Sequence, residues 1–188
     1  LTKLGAANVA VLERDKFLGT GATAKSAAAV RHLFTSEINI RLSMRSLDVF
    51  ERFEEEFGID PALVQNGYLF TAPTEKTWAV LQKNTAFQKS RGARVELVTP
   101  KEMLAIVPQL NVEDLLGGAF GPRDGYIDPN SVMMGFARRA KAQGARFEME
   151  TDVSSIRVEG GAVCGVETNR GFFEGEIVID AAGPNLKI

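Results

Sequence analysis

The sequence predicts an α/β fold in which strands alternate with helices and an antiparallel meander is attached. Three observations carry this prediction. The runs "VAVLE" (residues 9–13) and "IVIDAAG" (residues 177–183) are continuously apolar, as is typical of strands covered on both faces. From residue 153 onward, short β-forming runs are interrupted by Gly160–Gly161 and by "NRG" (residues 169–171), which predicts three antiparallel strands joined by tight turns.

The first third of the chain predicts one helix end, a small-residue loop and one long helix. Residues 1–7 resemble the last turns of a helix that stops near Gly5. A loop, "FLGTGATAKSAAA", follows the first strand. Thr35 or Ser36 is then predicted to cap a helix that ends before Gly58, because apolar residues recur at helical spacing.

The middle of the chain alternates strand and helix signals. "NGYLFTAP" predicts a strand, "EKTWAVLQKNTAFQKSRG" a helix stopped by Gly92, and "TPKEM" a capping box. The glycine-rich run "LGGAFG" predicts another strand. Asp128 is predicted to cap a helix with Pro129 in its first turn, and a further strand follows Gly144.

Composition excludes several classes of function. The formal net charge of −2 argues against a nucleic-acid or anionic-membrane surface, since either needs a basic excess. No apolar run is long enough to span a bilayer, and no secretory signal opens the chain. Cys164 is the only cysteine, so an internal disulfide is ruled out and the reducing cytoplasm is the expected compartment. We therefore expect a small-molecule partner.

Glu13 directly follows the predicted strand "VAVL" and is placed to bind the diol of a ribose. A carboxylate at this position favours FAD or NAD over NADP, because it repels a 2′-phosphate. The glycine loop of such a fold lies about 20 residues before the acid. Only twelve residues precede Glu13. We therefore expect the chain to be an excerpt that lacks the loop and the first strand.

A second glycine pattern within the chain is rejected as the phosphate loop. Gly19, Gly21 and Ala24 fit G-x-G-x-x-A, but four residues separate this pattern from the strand. The acids Glu13 and Asp15 would also crowd a pyrophosphate there. No acid-ending strand is predicted about 20 residues later.

Several of these stretches together are similar to one known family. "VAVLERDKFLGTGATAKSAAAVRHLF", "NGYLF", "DGYIDPNSVMMGFARRAKAQGARF" and "GVETNRG…IVIDAAGP" occur in this order. They resemble the FAD-dependent oxidoreductases of the D-amino-acid oxidase superfamily, closest to the sarcosine oxidase β-subunit-like branch. The resemblance runs from about Leu4 to Pro184.

The resemblance implies non-covalent FAD and oxidation of a carbon–nitrogen bond in an amino acid or N-methyl amino acid. Hydride would pass from the carbon beside nitrogen to flavin N5, and water would hydrolyse the resulting imine. The implied fold is a Rossmann-like FAD domain (residues 1–65 and 125–188, incomplete) with a meander, and part of a substrate domain (residues 66–124). An isolated excerpt is expected to be inactive and to retain little FAD.

The candidate cofactor-binding residues combine positions read from the sequence with positions implied by the family. Small side chains and backbone N–H groups in the loop suit close approach of a pyrophosphate or flavin edge. Relatives bind adenine with the backbone at the position of Val153. The candidates are Glu13, Arg14, Gly21, Thr23, Lys25, Ser26, Ala27, Val153, Ala182 and Gly183.

The candidate catalytic residues are Arg31 and His32. Arg31 occupies the place where monomeric sarcosine oxidases carry an arginine near the substrate carboxylate, and a guanidinium binds a carboxylate through two parallel hydrogen bonds. A surface arginine is the alternative. His32, the only histidine, is either catalytic or structural. A metal site is not expected.

Two departures from relatives bear on the substrate and on flavin attachment. Ala28 stands where monomeric sarcosine oxidases carry a further arginine. Pro129 stands near the position at which heterotetrameric relatives carry a histidine that links a second flavin. Covalent FMN is therefore not expected. One rival function is a 2-hydroxy acid or glycerol-3-phosphate dehydrogenase, although "AAAVRHLF" lacks their "HSG" or "HGG" signature. The other is a non-catalytic nucleotide-binding or assembly module. A homo-oligomer or a companion subunit is a further expectation.

Overall fold

A computed structural model describes residues 1–183 of the chain. Within these residues, ten strands and five α-helices follow a short 3₁₀ helix at Thr2–Leu4 that ends at Gly5. The strands are β1 (Ala10–Leu12), β2 (Ala29–Val30), β3 (Tyr68–Ala72), β4 (Glu96–Val98), β5 (Gly117–Gly121), β6 (Gly125–Tyr126), β7 (Arg146–Glu148), β8 (Val153–Glu159), β9 (Ala162–Thr168) and β10 (Gly171–Glu174). The helices are α1 (Glu37–Phe50), α2 (Phe53–Phe57), α3 (Glu75–Ser90), α4 (Pro100–Ile106) and α5 (Pro129–Ala142).

The chain divides into two compact units. The meander unit contains Leu1–Ser26 and the described residues from Met133 onward, and the central unit contains Ala27–Val132. The predicted assignment of residues 1–65 and 125–188 to FAD and of residues 66–124 to substrate concerns function, and it stays a prediction. Residues 184–188 of that assignment, with Pro184 of the resemblance, lie outside the described residues.

The central unit is built on an antiparallel sheet with the strand order β3-β5-β4. Tyr68 pairs with Gly121 and Glu96 pairs with Phe120. Helix α3 packs against all three strands. A Cβ atom at Gly118 would lie 2.6 Å from the Phe70 carbonyl oxygen, so glycine is required in this middle strand. The main buried cluster behind the sheet consists of Leu33, Ile40, Ala93, Val95 and Ala119.

Local capping signals explain where two helices begin. The Thr99 hydroxyl accepts a hydrogen bond from the Glu102 N–H, and the Glu102 carboxylate accepts one from the Thr99 N–H, which confirms the capping box. The Asp128 carboxylate accepts from the N–H groups of Asn130 and Ser131 and from the Ser131 hydroxyl. These bonds hold the pKa of Asp128 below its ordinary value, the Ser131 hydroxyl having the largest effect.

The prediction of one long helix ending before Gly58 is wrong, because the structure divides this segment into α1 and α2 at residues 51–52. Ser36 is the residue that precedes α1, and Arg52 leaves the helical conformation with φ −114° and ψ 16°. The break lets Phe53 become fully buried against Ile127 and Val132. Burial of an aromatic ring stabilises a fold by about 1.5–3 kcal/mol, more than the hydrogen bonds lost at one helix break.

The meander unit contains a parallel strand pair and the predicted meander. β1 pairs with β7 in parallel, with Ala10 opposite Arg146 and Leu12 opposite Glu148. The order β10-β9-β8 is antiparallel throughout, which confirms the meander. Gly160 and Gly161 both have positive φ (60° and 83°) in the turn between β8 and β9, a conformation that glycine adopts without strain.

Two strand predictions in this unit are wrong in part. β1 forms, but it is not covered on both faces, and Val11 is 36% exposed. Residues 177–180 do not form a strand, and Ile177 and Ile179 are 83% and 62% exposed. An extended apolar run becomes a strand only where another strand supplies ladder hydrogen bonds. Within residues 1–183, β1 has one neighbouring strand and residues 177–180 have none.

Candidate functional site

Glu13 and the loop after β7 lie at the same edge of the parallel strand pair. The Glu13 N–H donates to the Glu148 carbonyl at 2.9 Å, and the Thr151 N–H donates to the Glu13 carbonyl at 2.8 Å. Parallel strands present their carboxyl ends together, and open α/β sheets bind ligands there. The structure therefore places Glu13 beside residues 149–152, which lead directly into Val153, the first residue of β8.

The Glu13 carboxylate keeps hydrogen-bonding capacity for a ligand. It is half-buried and accepts the Asp15 N–H at 2.9 Å through one oxygen, Oε1. A carboxylate has about four acceptor positions, so the described contacts leave room for a ribose diol. Arg14 is exposed and lies 3.7 Å from the Asp15 carboxylate, where water screens the attraction.

Residues 21–27 form an exposed segment of turns. The Ala24 N–H donates to the Gly19 carbonyl at 3.0 Å and the Ser26 N–H donates to the Thr23 carbonyl at 3.2 Å. These small, exposed residues fit the close approach expected of a pyrophosphate or a flavin edge. The candidates in this segment are Gly21, Thr23, Lys25, Ser26 and Ala27.

Ala182 and Gly183 are exposed and lie outside the strands. The Ala182 N–H donates to the Asp180 carboxylate at 2.9 Å, which closes a local turn. Their predicted approach to a cofactor at the end of a strand stays a prediction. No group of three His, Cys, Asp or Glu side chains within residues 1–183 could hold a metal ion, and every helix there falls short of what crossing a bilayer requires.

Arg31 lies at a cavity of about 440 Å³ in the central unit. Its guanidinium carbon lies 5.2, 5.3 and 5.4 Å from the ring centroids of Phe34, Tyr68 and Phe70, and Nη1 donates weakly to the Tyr68 hydroxyl at 3.4 Å. No carboxylate in residues 1–183 lies within ion-pair distance of it. The lining residues are Ala29, Val30, Arg31, Phe34, Ser43, Ser46, Leu47, Phe50 and Tyr68.

The aromatic rings around Arg31 hold its guanidinium in a position where it can bind an anionic ligand. Each ring attracts the guanidinium by about 0.5–2 kcal/mol, depending on desolvation. Aromatic faces hold a cation without occupying its N–H groups. No acid in the described part of the chain therefore occupies the two parallel N–H groups that a carboxylate needs.

His32 is buried and contacts protein groups through both ring nitrogens. Its exposed fraction is 1%, and Nδ1 lies in a short contact with the Asp124 carboxylate, which also accepts the His32 N–H at 2.9 Å. Nε2 lies 3.1 Å from the Arg94 carbonyl oxygen, which can only accept, so Nε2 carries hydrogen. The structure thus shows an internal contact, and the predicted catalytic role of His32 stays a prediction.

Sequence reasoning missed Asp124, Phe34, Tyr68 and Phe70. Asp124 is fully buried and stands 92 residues from its partner His32, so no local spacing connects them. The signal available was chemical, since a sole buried histidine needs an acceptor. Tyr68 and Phe70 lie two residues apart on the same face of β3, a pattern that is also typical of an ordinary core.

A parallel strand pair with an acid after its first strand, joined to an antiparallel meander, defines a nucleotide-binding α/β protein. The free acceptor positions of Glu13 and the exposed small-residue loop fit the adenosine and pyrophosphate parts of FAD. Residues 1–187 match the family described as "FAD dependent oxidoreductase". The chain belongs to this family of FAD-dependent oxidoreductases.

Three relatives illustrate the similarity. The chain is 32% identical to human mitochondrial sarcosine dehydrogenase over 97% of its own length and 20% of that protein. It is 25% identical to the sarcosine oxidase subunit beta of Rhodobacter capsulatus, over 95% of this chain and 44% of the relative. The crystal structure of L-proline dehydrogenase from P. horikoshii superposes with a TM-score of 0.87 and 31% identity, covering 94% of this chain and 46% of that one.

These comparisons confirm the predicted superfamily, the α/β FAD-binding fold and FAD as the cofactor. They also confirm the resemblance to sarcosine-oxidising proteins. The chain spans between a fifth and a half of the length of these relatives.

Proposed function

We propose that the complete protein oxidises the carbon–nitrogen bond of an amino acid or N-methyl amino acid. The observation that supports this proposal is the guanidinium of Arg31, which is held by aromatic faces at a cavity and has no acidic partner among residues 1–183. A substrate carboxylate is the natural partner of such a group. Names of relatives agree with this class, since they include sarcosine and L-proline dehydrogenases.

The cavity suits a small substrate. Its volume of about 440 Å³ lies near the lower end of ligand pockets. Arg31 would bind the carboxylate, while Val30, Leu47 and Phe50 would contact the apolar part of the molecule and exclude water. Ser43 and Ser46 add hydroxyl groups that can accept from an amine. The polar groups thus fix orientation and the apolar walls limit size.

Glu13 would accept hydrogen bonds from the adenosine ribose, and the backbone of Val153 would contact the adenine. Residues 21–27 would lie along the pyrophosphate. Bound FAD supplies the hydride acceptor for the substrate carbon beside nitrogen. The products of the oxidation are an imine and, after hydrolysis, a carbonyl compound and an amine.

Anaerobic titration of the flavin-loaded complete protein tests this proposal. Sarcosine, L-proline and D-amino acids are added separately, and loss of the yellow flavin absorbance reports reduction. We expect at least one of them to bleach the flavin, and an amine without a carboxylate to do so far less efficiently. Bleaching by a 2-hydroxy acid or glycerol 3-phosphate alone would establish the rival dehydrogenase instead. No bleaching by any of these compounds would favour the non-catalytic module.

The compartment and the assembly remain part of the proposal. We expect a cytoplasmic protein with Cys164 reduced, although the human relative is named mitochondrial. A homo-oligomer or a companion subunit is expected because one relative is named as a subunit. Cell fractionation and sedimentation of the purified protein would decide both points.

A further inference from the structure

The loop of residues 149–152 connects β7 to β8 at the edge where Glu13 lies. Glu150 has a positive φ of 54°, a conformation that non-glycine residues rarely adopt. Thr151 is 1% exposed. A strained backbone beside a buried side chain keeps its shape only when neighbouring groups hold it. The partners of its backbone therefore indicate what determines its position.

One side of the loop is bonded to the segment of Glu13. The Thr151 N–H donates to the Glu13 carbonyl at 2.8 Å, and the Glu150 N–H donates to the Asp15 carbonyl at 3.2 Å. The Asp15 N–H in turn donates to the Glu13 carboxylate at 2.9 Å. A shift of the loop would therefore move the carboxylate that we assign to the ribose.

The other side of the loop is bonded to Asn169, in the turn between β9 and β10. The Asn169 side chain accepts the Asp152 N–H at 2.8 Å and donates to the Glu150 carbonyl at 3.2 Å. Its backbone N–H donates to the Asp152 carbonyl at 3.1 Å. One residue thus satisfies three polar backbone groups of the loop, as a bound ligand would.

Arg170 also bonds to the loop of residues 149–152. Its Nη1 donates to the Met149 carbonyl at 3.1 Å and lies 3.4 Å from the Thr151 hydroxyl. The Glu148 carboxylate lies 4.0 Å away, at the end of β7. The charge of Arg170 is therefore directed along the loop, although the turn itself needs no such side chain to form.

We propose that Asn169 and Arg170 are positioning residues for the adenosine half of the FAD site. They hold residues 149–152, and thereby the positions of Glu13 and of Val153, without contacting the cofactor themselves. This inference rests on the proposed cofactor role of Glu13 and Val153. It separates recognition of adenosine from binding of the flavin ring, because the bonds described all lie at the adenosine edge.

The test measures ADP and FMN binding to the flavin-free complete protein by titration calorimetry. Asn169→Ala and Arg170→Met are each expected to weaken ADP binding about 10- to 100-fold, the usual loss when groups that orient a ligand-binding residue are removed. FMN binding should change less than twofold. Arg170→Lys should recover part of the ADP affinity, since a lysine still reaches a carbonyl oxygen.

Arg157→Met is the matched control, because Arg157 also lies on the meander but pairs with Glu167 and Phe172. It should leave ADP binding unchanged. Equal losses for ADP and FMN, or an ADP loss as large in Arg157→Met, would show a merely structural role and overturn the inference. The variant Glu13→Ala distinguishes failure of this inference from failure of the proposed cofactor site. If it weakens ADP binding and Asn169→Ala does not, only this inference fails, and if Glu13→Ala has no effect, the proposed cofactor site itself fails.

Discussion

Replacing Arg31 by lysine tests the substrate-binding role of the cavity most directly. Lysine keeps the positive charge near the rings of Phe34, Tyr68 and Phe70, but it loses the two parallel N–H groups of the guanidinium. Charge-assisted hydrogen bonds contribute about 1.5–3 kcal/mol each. We expect Arg31→Lys to lose roughly one of two such bonds, which raises KM about 10- to 150-fold.

The assay compares a good amino-acid substrate with the matched amine that lacks its carboxylate. KM for the amino acid should rise by the stated factor, and KM for the amine should change by less than threefold. Arg91→Lys is the control, because Arg91 also lies over a ring, at 5.1 Å from the Phe87 centroid, but is paired with Glu37 at 2.9 Å. Equal losses on both compounds would refute the assignment of Arg31 to the carboxylate.

Three further predictions concern cofactor retention and stability. Glu13→Ala should weaken FAD retention by about 1–3 kcal/mol, measured as flavin content after dialysis, because a charge-assisted acceptor is removed. Asp124→Ala should lower the free energy of unfolding by about 2–6 kcal/mol in urea, since the buried Nδ1 and backbone N–H of His32 each lose a hydrogen-bond partner worth about 1–3 kcal/mol, whereas Asp114→Ala at an exposed site should change it little. The side-chain hydrogen bond from Arg123 holds the pKa of Glu51 below its ordinary value of 4.5. Its stabilisation is therefore present above pH 4.5 and lost as the pH falls towards the lowered folded value, and Arg123→Met should flatten this part of the curve of unfolding free energy against pH.

Features set by neighbouring residues could be predicted from the sequence. Thr99 and Glu102 form the capping box, and Asp128 caps α5, because each needs only groups within three residues. The meander also follows from local turn residues, since Gly160–Gly161 and residues 169–171 fix where its strands reverse.

Features set by distant residues could not be predicted in this way. Residues 177–180 have the composition of a strand, but strand formation depends on a neighbour that the pattern does not specify. The break at Arg52 depends on the burial of Phe53 against residues about 75 positions away. No local pattern predicts the contact between the Arg94 carbonyl and His32.

The candidate site shows the same division. Glu13 could be predicted as a ribose-binding residue because an acid after an apolar strand has a local signature, and this role stays a prediction. The roles proposed for Asn169 and Arg170 had no such signature, since a turn of this composition is ordinary by itself. We infer these roles from the carbonyl and N–H groups to which the two side chains bond in the structure.

The pairing of β1 with β7 has a consequence for synthesis of the protein. Ala10 pairs with Arg146, so 136 positions separate partners in one short ladder. At about 5–20 residues per second on the ribosome, β1 waits roughly 7–27 s before its partner has been made. Within residues 1–183 no other strand pairs with β1 in the meantime, and non-local pairing is slow even afterwards. Chaperone demand should therefore fall on nascent β1, and slower translation should lengthen its exposure.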